Sequence, residues 1–443
     1  MNPSLQQLLS GNRLLLSEIP VLENHLPHPH ILAEPGIQLI NGRETCIRCG
    51  NHDRTLFGQH PCARCQQMCS YCRHCIQLGK ISRCQQLYHW VGPELKMPYE
   101  PNSLHWNGTL SSGQATASDA VVEAINHQQK LLVWAVCGAG KTEVLFRGLA
   151  AAFAQGKRVL LSTPRTDVVK ELSPRLQRSF PHTHISTLYG GSKNRKTGAQ
   201  LVLSTTHQAL RFYRAFDVVI IDEVDAFPYS YDRSLQHAVE QAEKPTATTI
   251  YLSATPSKDL LKTPGLTIIK IPKRYHGFPL PVPRFQWCGN WQKHLQKKTL
   301  PTALVKWLAK HYAKPLLLFV PSLQTLTIIY SLLEHHNIHH LAVHSNEPKR
   351  HEYVEAFRNR QVPLMVTTTI LERGVTFADV QVAVLGAEDP IFAEAALVQI
   401  AGRVGRKLET PTGDVVFFHY GVSQEMKKAK THIENMNKEG GFT

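Results

Sequence analysis

AVCGAGKT at residues 135–142 and FDVVIIDEVD at residues 216–225 are the two stretches whose reading decides the fold. The apolar run 131–136 has the composition of a strand buried on both faces, and the loop after it carries Gly138, Ala139 and Gly140. The two glycines give that loop the backbone freedom to turn successive N–H groups toward phosphate oxygens. Lys141 then places a point charge on the outer phosphates. Thr142 supplies a hydroxyl for Mg²⁺ and opens a helix whose N-terminal dipole faces the anion. The second run, 218–221, ends in Asp222 and Glu223 at the C-terminal edge of a strand, where parallel α/β sheets bind their ligands. Asp222 would hold the metal, directly or through its water, and Glu223 would orient and deprotonate an attacking water. Together the stretches predict a site for ATP and Mg²⁺.

The same alternation extends along the chain. Apolar runs at 159–162, 201–204 and 250–252 join the two above, separated by amphipathic helical stretches, and this pattern predicts a parallel sheet between helices. Pro279, Pro281 and Pro283 then interrupt regular structure and mark a hinge. A second alternating set follows at 316–320, 339–343, 364–368, 380–385 and 415–418. The expected architecture is α/β, with two tandem parallel-sheet lobes behind a small cysteine-rich module. The boundaries read as a lead-in over 1–42, a zinc module over 43–95, a first lobe over 96–272, a linker over 273–300 and a second lobe over 301–443.

Composition narrows the class of protein. A chain of 443 residues is long enough for two or three domains, and no apolar stretch approaches the roughly 18 residues of a membrane span. The N-terminus lacks the basic-then-apolar layout of a signal peptide, so a cytoplasmic location is expected. Lys and Arg number 49 against 34 Asp and Glu, a net charge of +15, as expected of a chain that meets phosphate backbones.

Eight of the ten cysteines fall between Cys46 and Cys84. In a reducing compartment such clustering points to metal rather than disulfides. They are spaced Cys46-x₂-Cys49, Cys62-x₂-Cys65, Cys69-x₂-Cys72-x₂-Cys75 and Cys84. Two thiolates two residues apart grip one tetrahedral Zn²⁺, four close a structural site, and eight would fill two. Cys46, Cys49, Cys72 and Cys75 have the look of the knuckles of a single-zinc version. The other four would then hold a second metal or include free thiols, with His60 and His74 as possible substitutes. Spacing does not choose the pairing. Arg48, Arg54, Arg64, Arg73, Lys80 and Arg83 interleave with the cysteines and predict a basic surface. Cys137 and Cys288 read as packing residues.

Further motifs complete the nucleotide site. Gln114 precedes the phosphate loop by one helix and has an amide suited to adenine. Ser253-Ala254-Thr255 ends the strand after the Asp-Glu strand and could relay the state of the γ-phosphate. In QIAGRVGR, residues 399–406, Arg403 and Arg406 lie three apart, expected on neighbouring positions of a helical turn. Their guanidiniums suit the charge that develops on a transferring phosphoryl group.

These motifs resemble superfamily 2 helicases, P-loop NTPases with two RecA-like lobes, over residues 110–420. The resemblance implies nucleic-acid contacts at Thr163, Pro164 and Arg165, at Tyr189, Gly190 and Gly191, and at Ser204, Thr205, Thr206 and His207. In the second lobe it implies Pro321, Ser322 and the stretch 367–374, with Thr367, Thr368 and Arg373 on the nucleic acid and Gly374 at the nucleotide. Such hydroxyl-, Gly- and Arg-containing loops suit sugar–phosphate contacts that ignore base identity. DEVDAFP (222–228), TTTILERGVTF (367–377) and EAALVQIAGRVGRK (394–407), behind a module containing YCRHC, look like the ComFA competence family. That resemblance implies an ATP-dependent, helicase-like motor that draws incoming single-stranded DNA into the cell. It implies a peripheral place at the inner face of the membrane, beside the DNA-uptake channel and other competence proteins. Primosomal helicases also carry DExD and cysteines, but theirs interrupt the motor, whereas these precede it. The alternatives are a nucleotide-switched nucleic-acid-binding scaffold, or a primosomal or RNA-type helicase.

Overall fold

The computed structural model describes residues 5–192, 198–372 and 376–442. The chain forms two compact units. One comprises the residues up to Thr109 with Ala115–Val133 and Thr142–Ile269; the other comprises Leu110–Gln114, Trp134–Lys141 and the residues from Lys270 onward. Each is built around a RecA-like parallel sheet.

The first sheet has seven strands, in spatial order Ile185–Leu188, Leu201–Thr205, Val159–Thr163, Phe216–Asp222, Glu243–Ser253, Lys130–Ala135 and Leu266–Ile271. Every residue of Val159–Thr163 and Leu201–Thr205 is buried, which is why the central strands read as unbroken apolar runs. Parallel register aligns Thr163 with Thr205, Ser162 with Ile221 and Asp222 with Leu252. Thr163, Thr205, Asp222 and Ser253 therefore end their strands along one edge. Two strands, Ile185–Leu188 and Leu266–Ile271, were not among the apolar runs, and Glu243–Ser253 begins well before the run at 250–252.

The second sheet has six strands, in the order Arg284–Trp287, Val415–His419, Gln381–Leu385, Leu316–Phe319, Leu364–Thr367 and His340–Val343, all parallel. Its edge strand Arg284–Trp287 and the helix Trp291–Gln296 occupy the stretch expected to be irregular. The prolines stop short of that strand, and Phe285 stacks on Phe417 with ring centroids 6.1 Å apart.

The residues ahead of the first RecA-like sheet are largely β. Leu14–Leu15 and Ile31–Pro35 flank Gln86–Trp90, and Phe57–Pro61, Met68–Cys72 and Ile81–Ser82 form an antiparallel sheet. This part shares a core with the first sheet, since Cys46, Cys49, Cys72 and Cys75 belong to one buried cluster with Leu160, Val219 and Ala238. Arg211 pairs with Glu18 at 2.7 Å across the same junction. No helix among the described residues is long and apolar enough to cross a membrane.

Candidate nucleotide site and cysteine clusters

In the first unit, the strand Phe216–Asp222 delivers Asp222 to the sheet edge, and the chain then turns sharply. Glu223 takes a left-handed backbone, φ 54°, with its N–H donating to Asp222 Oδ1 at 2.9 Å. A non-glycine residue there is strained and is held only by its surroundings. One clamp is Asp225, whose carboxylate accepts from Ser253 Oγ at 2.6 Å and Thr255 Oγ1 at 2.7 Å. The hydroxyls of the Ser-Ala-Thr strand end are thus tied to the Asp-Glu loop. If hydrolysis is stimulated by single-stranded DNA, replacing both Ser253 and Thr255 by alanine is expected to remove most of that stimulation while leaving the basal rate within a few-fold of the parent. Unchanged stimulation in a phosphate-release assay would rule out a relay through Asp225.

The phosphate loop groups with the second unit. Gly138 and Gly140 have φ of 82° and 75°, and the helix Lys141–Phe153 follows directly. The Gln114 amide bridges two backbones, accepting from Ser111 N at 2.8 Å and donating to Ala139 O at 2.9 Å. Lys141 Nζ donates to Ala135 O at 3.2 Å. Cys137 is more than a packing residue, because its thiol donates to Gln399 Oε1 at 2.9 Å.

The arginine pair does not sit on a helical turn. The helix Glu394–Ala401 ends before either residue, and Arg403 N and Val404 N bond back to Ile400 O and Ala401 O as tight turns. Gly405, at φ 68°, turns the chain away from helical geometry. Arg403 is fully buried and its Nε donates to Glu372 O at 3.0 Å. Arg406 is half-buried, with Nε on Gly402 O at 3.0 Å.

Sequence reading missed Arg274, which is 1% exposed. It donates to the carbonyls of Val404, at 2.7 Å, and of Gly402 and Gly405, and so holds the turn that carries both arginines. Burial lowers its guanidinium to about 10, which leaves it charged at neutral pH. Only its place just after a strand could have drawn attention to it. A Cβ at Gly405 would sit 2.1 Å from Pro411 O. Gly405→Ala is accordingly expected to lower the thermal midpoint by about 4 °C or more, the order set by a left-handed alanine plus a backbone clash. An unchanged midpoint would contradict this packing.

The loops assigned to nucleic acid divide by exposure. Arg165, Gly190, Gly191, His207, Ser322 and Thr368 are at least partly accessible, and among the described residues no atom lies within 4 Å of a Cβ position at Gly190 or Gly191. Thr163, Pro164, Ser204, Thr205, Thr206 and Thr367 are buried. The Thr367 hydroxyl donates to Val343 O at 2.9 Å, so it faces the interior and braces its loop. Arg373 and Gly374 lie outside the described residues.

The eight cysteines separate into two groups, Cys46, Cys49, Cys72 and Cys75, and Cys62, Cys65, Cys69 and Cys84. In the first, fully buried, Cys46 and Cys75 sulfurs are 3.8 Å apart and Cys49 and Cys72 sulfurs 3.6 Å. Tetrahedral Zn²⁺ with sulfur bonds of about 2.3 Å sets its ligands about 3.8 Å apart, so this donor set fits the ion. His74 instead faces Asp232 at 3.4 Å, and His60 contacts Lys80 at 3.1 Å. Arg48 does not contribute to a basic surface. It is buried, donating to Leu78 O at 3.0 Å and to Cys75 O at 2.9 Å, whereas Arg54, Arg64, Arg73, Lys80 and Arg83 are exposed.

Three family models match the chain: the competence protein ComFA N-terminal domain over residues 1–89, the type III restriction enzyme res subunit over 107–258, and the helicase conserved C-terminal domain over 299–407. The sequence is 46% identical over 442 residues to competence protein ComFA of Bacillus subtilis, covering 98% of this chain and 95% of that one. It is 39% identical over 379 residues to competence protein ComFA of Streptococcus pneumoniae, covering 84% and 87%. Among solved structures, S. cerevisiae Dbp5 bound to RNA and ADP BeF3 superposes with a TM-score of 0.55 at 13% identity, covering 74% of this chain and 92% of that one. DEAD-box helicase Mss116 bound to ssRNA and UDP-BeF gives 0.56 at 14%, covering 75% and 83%. At these identities the two structures speak for the fold alone.

Proposed function

This chain belongs to the ComFA family of competence proteins, helicase-like ATPases, and from that premise we propose that it is a motor that moves along single-stranded DNA and helps draw transforming DNA into the cell. The observation that carries the reading is the shared edge of the first sheet. Asp222 and Glu223 leave the same row of strand ends as the loops that begin at Thr163 and Thr205. A change at the phosphates therefore has a short path to the loops that would hold a strand.

In this reading the amides of residues 138–142 and the Lys141 ammonium would hold the phosphates of ATP, while Thr142 and Asp222 would hold Mg²⁺. When bound, Mg²⁺ offsets charge on the phosphate oxygens. Glu223 positions the attacking water and takes its proton. Arg406 supplies the guanidinium charge, and Arg403, buried on Glu372 O, fixes the turn that presents it. Ser253 and Thr255, through Asp225, pass the state of the site to the strand-binding loops. Arg165, Gly190, Gly191, His207, Ser322 and Thr368 contact the sugar–phosphate chain and alternate in grip as hydrolysis proceeds. By the family resemblance alone, Arg373 is assigned to the nucleic acid and Gly374 to the nucleotide. Cys46, Cys49, Cys72 and Cys75 would hold a structural Zn²⁺, which would tie the N-terminal residues to the first sheet. The protein works at the inner face of the membrane beside the uptake channel.

Displacement of streptavidin from the biotinylated end of a single strand tests the motor. ATP-dependent displacement from one end and not the other is expected. ATP turnover with no displacement from either end would reduce the protein to a nucleotide-switched scaffold.

A further inference from the structure

The cysteines left over by the buried tetrad repeat its construction. Cys62, Cys65, Cys69 and Cys84 bring their sulfurs within 4.8 Å of one another, and the Cys62 and Cys84 sulfurs are 3.6 Å apart. That separation is close to the edge of a tetrahedral ZnS₄ centre, about 3.8 Å, and far from the roughly 2 Å of a disulfide.

The backbone is the stronger argument. In the first knuckle Gly50 N donates to Cys46 O at 2.8 Å and Cys46 N to Asn51 O at 2.9 Å. In the second, Gln66 N donates to Cys62 O at 2.9 Å and Cys62 N to Gln67 O at 3.0 Å. The residue after each Cys-x₂-Cys pair is left-handed, Gly50 at φ 69° and Gln66 at φ 56°. Gln66 adopts that conformation despite its Cβ, so the loop keeps a knuckle's shape where its residue type disfavours it.

One short strand serves both groups. Cys69 and Cys72 lie three apart on Met68–Cys72, and alternation sends their side chains to opposite faces. The groups differ in setting, because Cys46, Cys49, Cys72 and Cys75 are all buried while Cys62, Cys65 and Cys84 remain partly exposed. Little apolar surface is present to hold the turn between Pro61 and Met68, where Arg64, Gln66 and Gln67 are exposed.

We propose that Cys62, Cys65, Cys69 and Cys84 bind a second Zn²⁺, separate from the buried one, which staples this hairpin to the Cys84 loop and exchanges faster. The inference stands apart from the motor reading and is tested by metal content rather than turnover. Full-length protein purified from zinc-supplemented cells without chelator is expected to hold two Zn²⁺ per chain. A chelator should remove them in two phases. The double variant Cys62→Ser/Cys84→Ser should hold one, released in the slow phase alone, with unchanged ATP hydrolysis. Should that variant not fold, the parent decides by thiol titration: no fast-reacting cysteine before metal removal is expected. One Zn²⁺ per chain with four fast-reacting thiols, or two Zn²⁺ retained in the double variant, would overturn the proposal.

Discussion

Glu223→Gln is expected to bind ATP about as tightly as the parent and to hydrolyse it roughly 10²–10⁴-fold more slowly, the usual loss when a positioned base is removed. The substitution keeps shape and hydrogen-bonding capacity but cannot take a proton. Its backbone is already committed: Glu223 N caps Asp222 Oδ1, and the loop is clamped at Asp225 by Ser253 and Thr255. The amide should therefore occupy the same place, which separates chemistry from binding. Lys141→Ala makes the contrast, losing nucleotide affinity together with turnover. Fluorescent-nucleotide titration beside phosphate release distinguishes the two, and near-parental turnover by Glu223→Gln would remove this residue from the chemistry.

Arg406→Ala carries the second large effect, a fall in turnover of roughly 10³-fold or more, as seen when a guanidinium is withdrawn from a transferring phosphoryl group. Its turn is held from behind by Arg274, through the carbonyls of Gly402, Val404 and Gly405, so loss of the side chain should not move the backbone. Arg406→Lys should recover little, because an ammonium cannot reproduce the planar fork. Arg403→Ala should behave differently. That side chain is fully buried and donates to Glu372 O, so its removal should lower the thermal midpoint as well as the rate. If Arg406→Lys matched the parent in rate, bulk charge rather than directed guanidinium geometry would be at work.

The central strands were legible because both their faces are covered. Val159–Thr163 and Leu201–Thr205 are apolar from end to end apart from their small hydroxyl residues, and nothing competes with that pattern. Two edge strands were not. All but one residue of Leu266–Ile271 and Arg284–Trp287 are exposed or half-exposed, and polar residues interrupt both, so they carry no continuous apolar signal. Glu243–Ser253 opens with Glu-Lys-Pro-Thr, which reads as a loop until pairing with Phe216–Asp222 supplies its context.

At the candidate site, residue types and spacing put residues 138–140 in a loop ahead of a helix and Asp222 at a strand end, and the backbone has both there, because such loops and strand ends follow from glycine freedom and a buried apolar run. The setting of the arginines escaped, since a spacing of three is shared by helices and by successive tight turns; Gly405 decides between them through its φ of 68°. Arg274 escaped because its partners are backbone carbonyls more than a hundred residues away in sequence. Cysteine spacing alone left the pairing open. The division follows from the strand Met68–Cys72, which points Cys69 and Cys72 to opposite faces.

Steady-state phosphate release by the full-length protein, compared without nucleic acid and with saturating single-stranded DNA, duplex DNA or RNA, tests the central claim most directly. The account predicts a rate that single-stranded DNA raises well above the other three conditions and that Lys141→Ala abolishes in all of them. A Lys141-dependent rate that is the same with and without single-stranded DNA would contradict it.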